Sequence, residues 1–348
     1  MNCWLRVAVV SIAVGAALSF PLPQIDAQAQ DPAEVAIFPV QGNVSVLIGP
    51  GGLSTANSNI TVQTSDDAVV LVDTGRGEAN DRILAAVRRM TSRPIRFIIN
   101  TQAAPDHTGG NEALATSGRP YGGRAAGAGF LLADQSSGAT IIAHENVLQR
   151  LSGAKGGTAA PFGMLPSETY FTPEHELFNG EAIQLFHEAA AQSDGDSIVF
   201  FRRSDVISVG DIFSTLTYPR FDRAAGGTIN GVINALNHVI DLAIPREKQE
   251  GGTYIIPGHG RVADEADVVE YRDMLVIIRD RVQDLLNKGR TLDQIRTARV
   301  SLDYDRRYSK PEWTGDQLVE AMVATLKPAP TALKPAPGAA APTPKGRR

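Results

Sequence analysis

Aspartate, histidine and glutamine gather in five short motifs: Val72-Asp73-Thr74-Gly75, the stretch NTQAAPDHTGG at residues 100–110, Gln192-Ser193-Asp194-Gly195-Asp196, Gly210-Asp211-Ile212-Phe213 and Pro257-Gly258-His259-Gly260. Imidazole nitrogens and carboxylate oxygens are the groups that hold divalent ions and move protons. Glutamine can hydrogen-bond a water or a substrate but is a poor zinc ligand, and Ala104 offers nothing. Taken singly, each residue has an ordinary structural use. Asp106 and His107 suit a turn and helix cap ahead of Thr108-Gly109-Gly110, Asp211 the end of a strand, and His259 and Asp73 tight turns. His144 reads as the start of a helix, while His175, His187 and His238 have no motif around them and read as structural or exposed.

The elements that must hold these turns are short. Residues 36–49 and 59–73 alternate or run apolar between Gly, Asn and Asp-Asp, the pattern of strands joined by turns. A face of Ile83, Leu84, Val87 and Met90 predicts a helix over 78–90, followed by an apolar strand at 95–100, so the 100–110 motif closes a strand–helix–strand unit. Residues 109–115 and 145–151 read as short helices and 139–143 as a strand. Residues 153–167 are rich in Gly, Pro and Ala without a period and read as a mobile loop. Further strands fall near 168–171, 176–178, 183–187, 197–202 and 206–209, and a helix over 231–243 leads to a strand at 253–256 and the Pro-Gly-His-Gly turn. Residues 267–288 form a long amphipathic helix stopped by Gly289, and Thr291 with Gln294 makes a capping box for the next short helix. Two strand-rich halves, each followed by helices, predict an α/β fold with two sheets face to face and helices on both outer faces.

A chain of 348 residues with 43% hydrophobic and 20% charged residues can bury a sizeable core. Arg6, the apolar run Val7–Leu18 and the small-residue site Ala27-Gln28-Ala29 read as a secretory signal peptide over residues 1–29, leaving a domain over 30–326. The apolar run is shorter than the ~20 residues a spanning helix needs, so the mature form is expected to have no membrane span. Cys3, the only cysteine, lies in that leader ahead of the apolar run, which leaves the mature chain no disulfide, thiolate ligand or lipid anchor. Export to the periplasm or beyond the cell agrees with this. From Lys327 the chain is rich in Pro and Ala and carries five basic residues and no acid, the composition of a disordered or polyproline-like tail over 327–348. Arg6 and Asp26 cancel in the leader and the tail contributes +5 to a total of −5, so the body carries −10. An acidic body argues against nucleic acid and leaves a small molecule as the expected substrate.

In this order, over residues 36–285, the five motifs resemble the signatures of the metallo-β-lactamase superfamily. The resemblance implies a four-layer αββα sandwich. The family's turn reads His-x-His-x-Asp-His, and the matching positions here are Gln102, Ala104, Asp106 and His107. It further implies that Gln192 stands where the third histidine of a first metal site would be, so all three first-site histidines are absent. The second-site set of a glyoxalase-II-like member, Asp106, His107, Asp211 and His259, is complete, and Asp73 is implied to orient a ligand from beneath. Two carboxylates and two neutral imidazoles balance one divalent ion, with zinc expected and iron or manganese admitted by the mixed donors. Without an ion, the two carboxylates are expected to crowd until one protonates.

Two functional readings follow. In one, the chain is a single-metal hydrolase of esters, thioesters, lactones or β-lactams, with Asp106 as ligand and proton acceptor and Gln102 or Gln192 positioning water. In the other, it is an exported binding or scaffold protein without catalysis, its ion structural or absent.

Overall fold

The computed structural model describes residues 34–50, 52–54, 56–120 and 138–326. The expected leader at 1–29 and the tail at 327–348 lie outside the described residues, and among those described no helix is long and apolar enough to cross a membrane.

Two sheets carry the fold. The first runs, in spatial order, β1 (Ala36–Gln41), β2 (Val44–Ile48), β3 (Ile60–Thr64), β4 (Val69–Val72), β5 (Ile95–Ile99), β6 (Thr140–His144) and β7 (Glu168–Tyr170). Neighbours from β1 to β4 are antiparallel, and those from β4 to β7 are parallel. Parallel neighbours need crossover connections, supplied by α1 (Asn80–Met90) between β4 and β5 and by α2 (Pro105–Thr108) and α3 (Asn111–Thr116) after β5. The second sheet orders β12 (Tyr254–Ile256), β11 (Val206–Ser208), β10 (Asp196–Phe201), β9 (Ala182–Glu188) and β8 (Glu174–Phe178), with only the β11–β12 pair parallel.

Side-chain alternation along the strands builds three layers of core. Val70 and Val72 of β4, Phe97 and Ile99 of β5, Val199 and Phe201 of β10 and Ile183 and Leu185 of β9 pack between the two sheets. The opposite face of the first sheet, with Val69, Leu71 and Ile98, covers Ile83, Ala86 and Val87 of α1 and Leu114 of α3. The opposite face of the second sheet, with Ile198, Phe200 and Ile207, packs against α5 (Ile229–Leu242), α6 (Glu265–Asn287) and α9 (Gly315–Leu326). The result is helix, sheet, sheet, helix, the four-layer αββα sandwich. Side chains such as Leu71 and Ile198 reach zero exposure, each stabilising the fold by roughly 2 kcal/mol.

Local boundaries moved where capping chemistry decided them. α6 begins at Glu265 rather than 267 because Asp264 caps it and Asp267 reaches back to the Asp264 backbone N–H, a reciprocal capping box. The box of Thr291 with Gln294 opens α7 (Leu292–Thr297) as expected. The helix expected over 109–115 is α3, preceded by the separate single turn α2, and the glycines between them, Gly109 and Gly110, pass too close to the backbone of Arg76 and Thr74 for a side chain to fit. Within the stretch expected to be a periodless loop, Phe162–Met164 forms a 3-10 turn tied down by Asn111, whose Nδ2 donates to the Met164 carbonyl at 2.9 Å. The helix α8 (Leu302–Tyr308) and α9 close the second outer face.

Candidate metal centre

The motifs converge because β4, β5, β11 and β12 end on the same rim. Asp73 follows β4, the 100–108 stretch follows β5, Asp211 lies just past β11 in a 3-10 turn, and His259 follows β12. Open α/β sheets place ligands at such carboxyl ends. Gly258 allows the last of these approaches, since a Cβ there would collide with Asp211 Oδ1 and the Gly210 backbone. One ligand atom from each of Asp106, His107, Asp211 and His259 lies within 4.8 Å of all the others.

Each histidine is aimed by a hydrogen bond on its far side. His107 is fully buried, and its Nδ1 donates to Asp73 Oδ2 at 2.7 Å, which turns Nε2 toward Asp211 Oδ2 at 3.2 Å. His259 Nδ1 donates to the Ser54 carbonyl at 3.0 Å, leaving Nε2 at 3.2 Å from Asp106 Oδ2 and 3.3 Å from Asp211 Oδ1. A carboxylate or carbonyl behind an imidazole fixes its tautomer and presents the other nitrogen's lone pair to a cation. Asp73 is itself held: Thr101 donates to it from its backbone N–H at 2.8 Å and from its hydroxyl at 2.7 Å. Its φ of 63° is a left-handed conformation that Asp and Asn tolerate better than most residues. Asp73 thus lies behind His107, on the side of the ring away from Asp211.

Gln102 is 4% exposed, and its amide nitrogen lies 2.9 Å from His107 Nε2 and 2.8 Å from Asp211 Oδ2. With the His107 proton on Nδ1, that amide donates to both. Gln192 Nε2 donates to the same Asp211 oxygen at 3.3 Å. Both glutamines therefore face Asp211, and Asp211 Oδ1 and Gln192 Oε1 are left buried without a hydrogen-bond partner. Ala104 lines the cavity above and contributes no polar atom.

The expectation that crowded carboxylates would force one to protonate is corrected here. Burial raises the pKa of Asp106, but its hydrogen bond with His259 and the charges of His107 and His259 outweigh burial and leave it below the ordinary value. Burial likewise raises Asp211, but the charge and hydrogen bond of His107, the charge of His259 and the Gln102 amide bring it well below. Burial lowers His107, yet the charges of Asp211 and Asp73 carry it well above 6.5. For His259, burial is outweighed by the Asp106 hydrogen bond and the Asp211 charge, and its pKa is raised. Sequence spacing could not show that the imidazoles stand between the carboxylates. The raised histidine pKa values measure how strongly this wall attracts positive charge at Nε2, carried by a proton or by an ion.

The donor set fits a single divalent ion. Tetrahedral bonds of ~2.1 Å place donors roughly 3.4 Å apart; three imidazole–carboxylate contacts here, using both oxygens of Asp211, lie at 3.2, 3.2 and 3.3 Å, and the set as a whole lies within 4.8 Å. Asp211 Oδ1, buried without a hydrogen-bond partner, is an acceptor that such an ion would satisfy.

Several contributors carried no motif. Asn59, 7% exposed, donates from Nδ2 to the carbonyls of Pro257 and Gly260, both at 2.9 Å, and its own N–H donates to Gly258 at 2.7 Å, so it clasps the turn that bears His259. Asn111 exchanges hydrogen bonds with Asn100 and accepts one from Thr74, and Thr74 and Asn100 both donate to the His107 carbonyl. An isolated polar residue beside an apolar strand, as at Asn59, is the only trace such a role leaves in a sequence outside the motifs. His144 caps α4 (Glu145–Leu151), accepting from the Asn146 N–H, and stacks on His187 with ring centroids 3.5 Å apart. His238 pairs with Glu188 at 2.6 Å and His175 stacks on Tyr170, so all of these stand outside the centre.

The family pattern of the metallo-beta-lactamase superfamily matches residues 54–302. Similar solved structures include a metallo-beta-lactamase from Pontibacter korlensis, 14% identical, covering 70% of this chain and 99% of its own length at a TM-score of 0.51. The DIM-1 metallo-beta-lactamase is 17% identical, covering 70% of this chain and 97% of its own at 0.51. At these identities the likeness is one of fold. No curated protein matches the chain. A family match over residues 54–302, on two sheets faced by helices and with four metal-type donors at the strand ends, makes this chain a member of the metallo-beta-lactamase superfamily.

Proposed function

We propose that the chain is an exported, single-metal hydrolase of small molecules carrying an ester, thioester, lactone or β-lactam bond. The observation that carries this reading is the four-donor cluster of Asp106, His107, Asp211 and His259, three of which, Asp106, Asp211 and His259, line a cavity of about 200 Å³ together with Gln192 and Thr217. Zinc suits the mixed nitrogen and oxygen donors, with iron or manganese as alternatives. A bound ion of this kind supplies Lewis acidity that polarises a carbonyl and acidifies water. The chain's own residues do the rest. Asp73 and the Ser54 carbonyl orient the two imidazoles, and Asp106 accepts a proton at the cavity floor. The amide of Gln192, at the cavity wall, positions a water or the substrate carbonyl, while Gln102 works from the buried side of Asp211.

A second reading, a binding protein without catalysis, has one specific observation in its favour. The Gln102 amide already donates to His107 Nε2 and Asp211 Oδ2, two of the atoms an ion would use, so a neutral group partly stands in for the cation. Metal stoichiometry on the natural chain and on the triple variant Gln102→His, Ala104→His, Gln192→His, each assayed on a panel of hydrolase substrates, separates the two. One ion with turnover in the natural chain supports the single-metal hydrolase. One ion rising to two, with turnover only in the variant, establishes the non-catalytic reading.

A further inference from the structure

The cavity over the four donors adjoins a larger one of about 540 Å³, with Ala104, Gln192 and Arg220 lining both. Ala104 presents only a methyl group at the junction, so no side chain of any length divides the two spaces there. Phe221, Ala225 and Trp313 make the larger space mainly apolar.

Two arginines reach it, in different states. Arg150 is spent, donating to Asp194 Oδ1 at 2.9 and 2.7 Å and to the Ala225 carbonyl at 2.7 Å. Arg220 is exposed and has no ion pair or hydrogen bond among the described residues. Its Cζ lies 5.6 Å from the centroid of the Trp313 ring, which is fixed by an Nε1–H bond to the Pro219 carbonyl at 3.2 Å and by a two-way backbone pairing with Lys310. A guanidinium beside a ring, with no ion pair or hydrogen bond among the described residues, has its N–H donors available for a planar, two-oxygen acceptor. Arg76 lines the smaller cavity with Arg220, above a floor whose two carboxylates an ion would neutralise, and the larger cavity's wall also carries Asp222, whose Oδ1 accepts from the Ala224 N–H at 2.8 Å. Thr217 also lines the smaller cavity, and its Oγ1 is buried without a hydrogen-bond partner.

We propose that the larger cavity binds an apolar, carboxylate-bearing portion of the substrate, with Arg220 pairing the carboxylate and Trp313 and Phe221 packing the apolar body. The substrate is then an organic acid whose hydrolysable bond reaches past Ala104 toward the four donors. Calling the bound acid a substrate rests on the hydrolase reading; the pocket's preference for an acid does not. Trp313 lies beyond the matched residues 54–302, in the turn between α8 and α9, so this part of the wall comes from the C-terminal segment.

The test uses phenylacetate and its uncharged near-isostere phenylacetone, titrated into the full-length protein by calorimetry and by tryptophan fluorescence. Trp4 and Trp313 are the only tryptophans, so a Trp313→Phe control assigns the optical signal. Phenylacetate should bind and change Trp313 emission, phenylacetone should bind at least about tenfold more weakly, and Arg220→Gln should erase that difference, as expected for the loss of one charge-assisted hydrogen bond. Equal binding of the two probes, binding of neither, or a preference that survives Arg220→Gln overturns the proposal. Neither probe has a bond to hydrolyse, so the outcome is read separately from whether the chain is a hydrolase.

Discussion

Replacing Asp73 by Asn should weaken metal binding without unfolding the protein. The Asp73 carboxylate accepts three hydrogen bonds, two from Thr101 and one from His107 Nδ1, at 2.7 to 2.8 Å. Asn keeps the shape and suits the φ of 63°, so the backbone has little reason to move. An Asn oxygen can still accept from the Thr101 N–H, but its NH2 group then faces Thr101 Oγ1 and His107 Nδ1. The imidazole must answer by carrying its proton on Nε2, where it points at Asp211 Oδ2 and occupies the lone pair an ion needs. Losing one charge-assisted hydrogen bond costs about 1.5–3 kcal/mol, equivalent to roughly 10- to 100-fold in affinity. Zinc titration of the metal-depleted protein against a competing chelating dye at pH 7.5 reads that loss directly, while thermal melting of the same metal-free samples checks the fold. Zinc affinities of Asp73→Asn and the natural chain agreeing within about twofold, with both proteins folded, would refute the orienting role.

Other expectations follow from the same geometry. Zinc uptake should strengthen as pH rises through the neutral range, because His107 and His259 have raised pKa values and an ion must displace their protons; about tenfold per pH unit is expected for each proton displaced. The metal-free protein should behave in the opposite sense: a raised folded pKa contributes stability that is complete below about 6.5 and is lost as pH climbs through the folded value. Melting curves with and without zinc from pH 6 to pH 9 test both. Asp196 is fully buried by the cluster, and burial raises its pKa to about 7, partly offset by the Ser193 backbone N–H. Its ionisation cost therefore grows from about pH 4 to about pH 7, so Asp196→Asn should stabilise the metal-free protein by about 4 kcal/mol at pH 8 and by little at pH 4; equal melting shifts at both would contradict this. Asn59→Ala removes two hydrogen bonds that clasp the His259 turn and should cost about 2 kcal/mol in urea unfolding, together with a measurable loss of zinc affinity. Lost stability with undiminished zinc binding would make Asn59 a core residue only.

The sequence by itself carried the fold class and the four donors. Apolar alternation is a local property, so β4, β5, β9 and β10 were legible wherever a strand packs on both faces, and Thr291 with Gln294 announced α7 through hydrogen bonds three residues apart. The motifs at Asp73, Asp106-His107, Asp211 and His259 were likewise visible, because turns at strand ends restrict which residues fit. The relations between them were decided by the tertiary structure. That Asp73 grips His107, that the imidazoles stand between Asp106 and Asp211 and keep both ionised, and that Gln102 and Gln192 turn to one oxygen of Asp211 depend on angstrom-scale placement of residues on different elements, from 19 to 153 positions apart. The clasp of Asn59 on the His259 turn and the Arg220–Trp313 wall left no local pattern, because each joins residues far apart along the chain. Periodicity records what a residue does within its own element, whereas charge balance and hydrogen-bond partnership across the rim exist only once the four strand ends have been brought together.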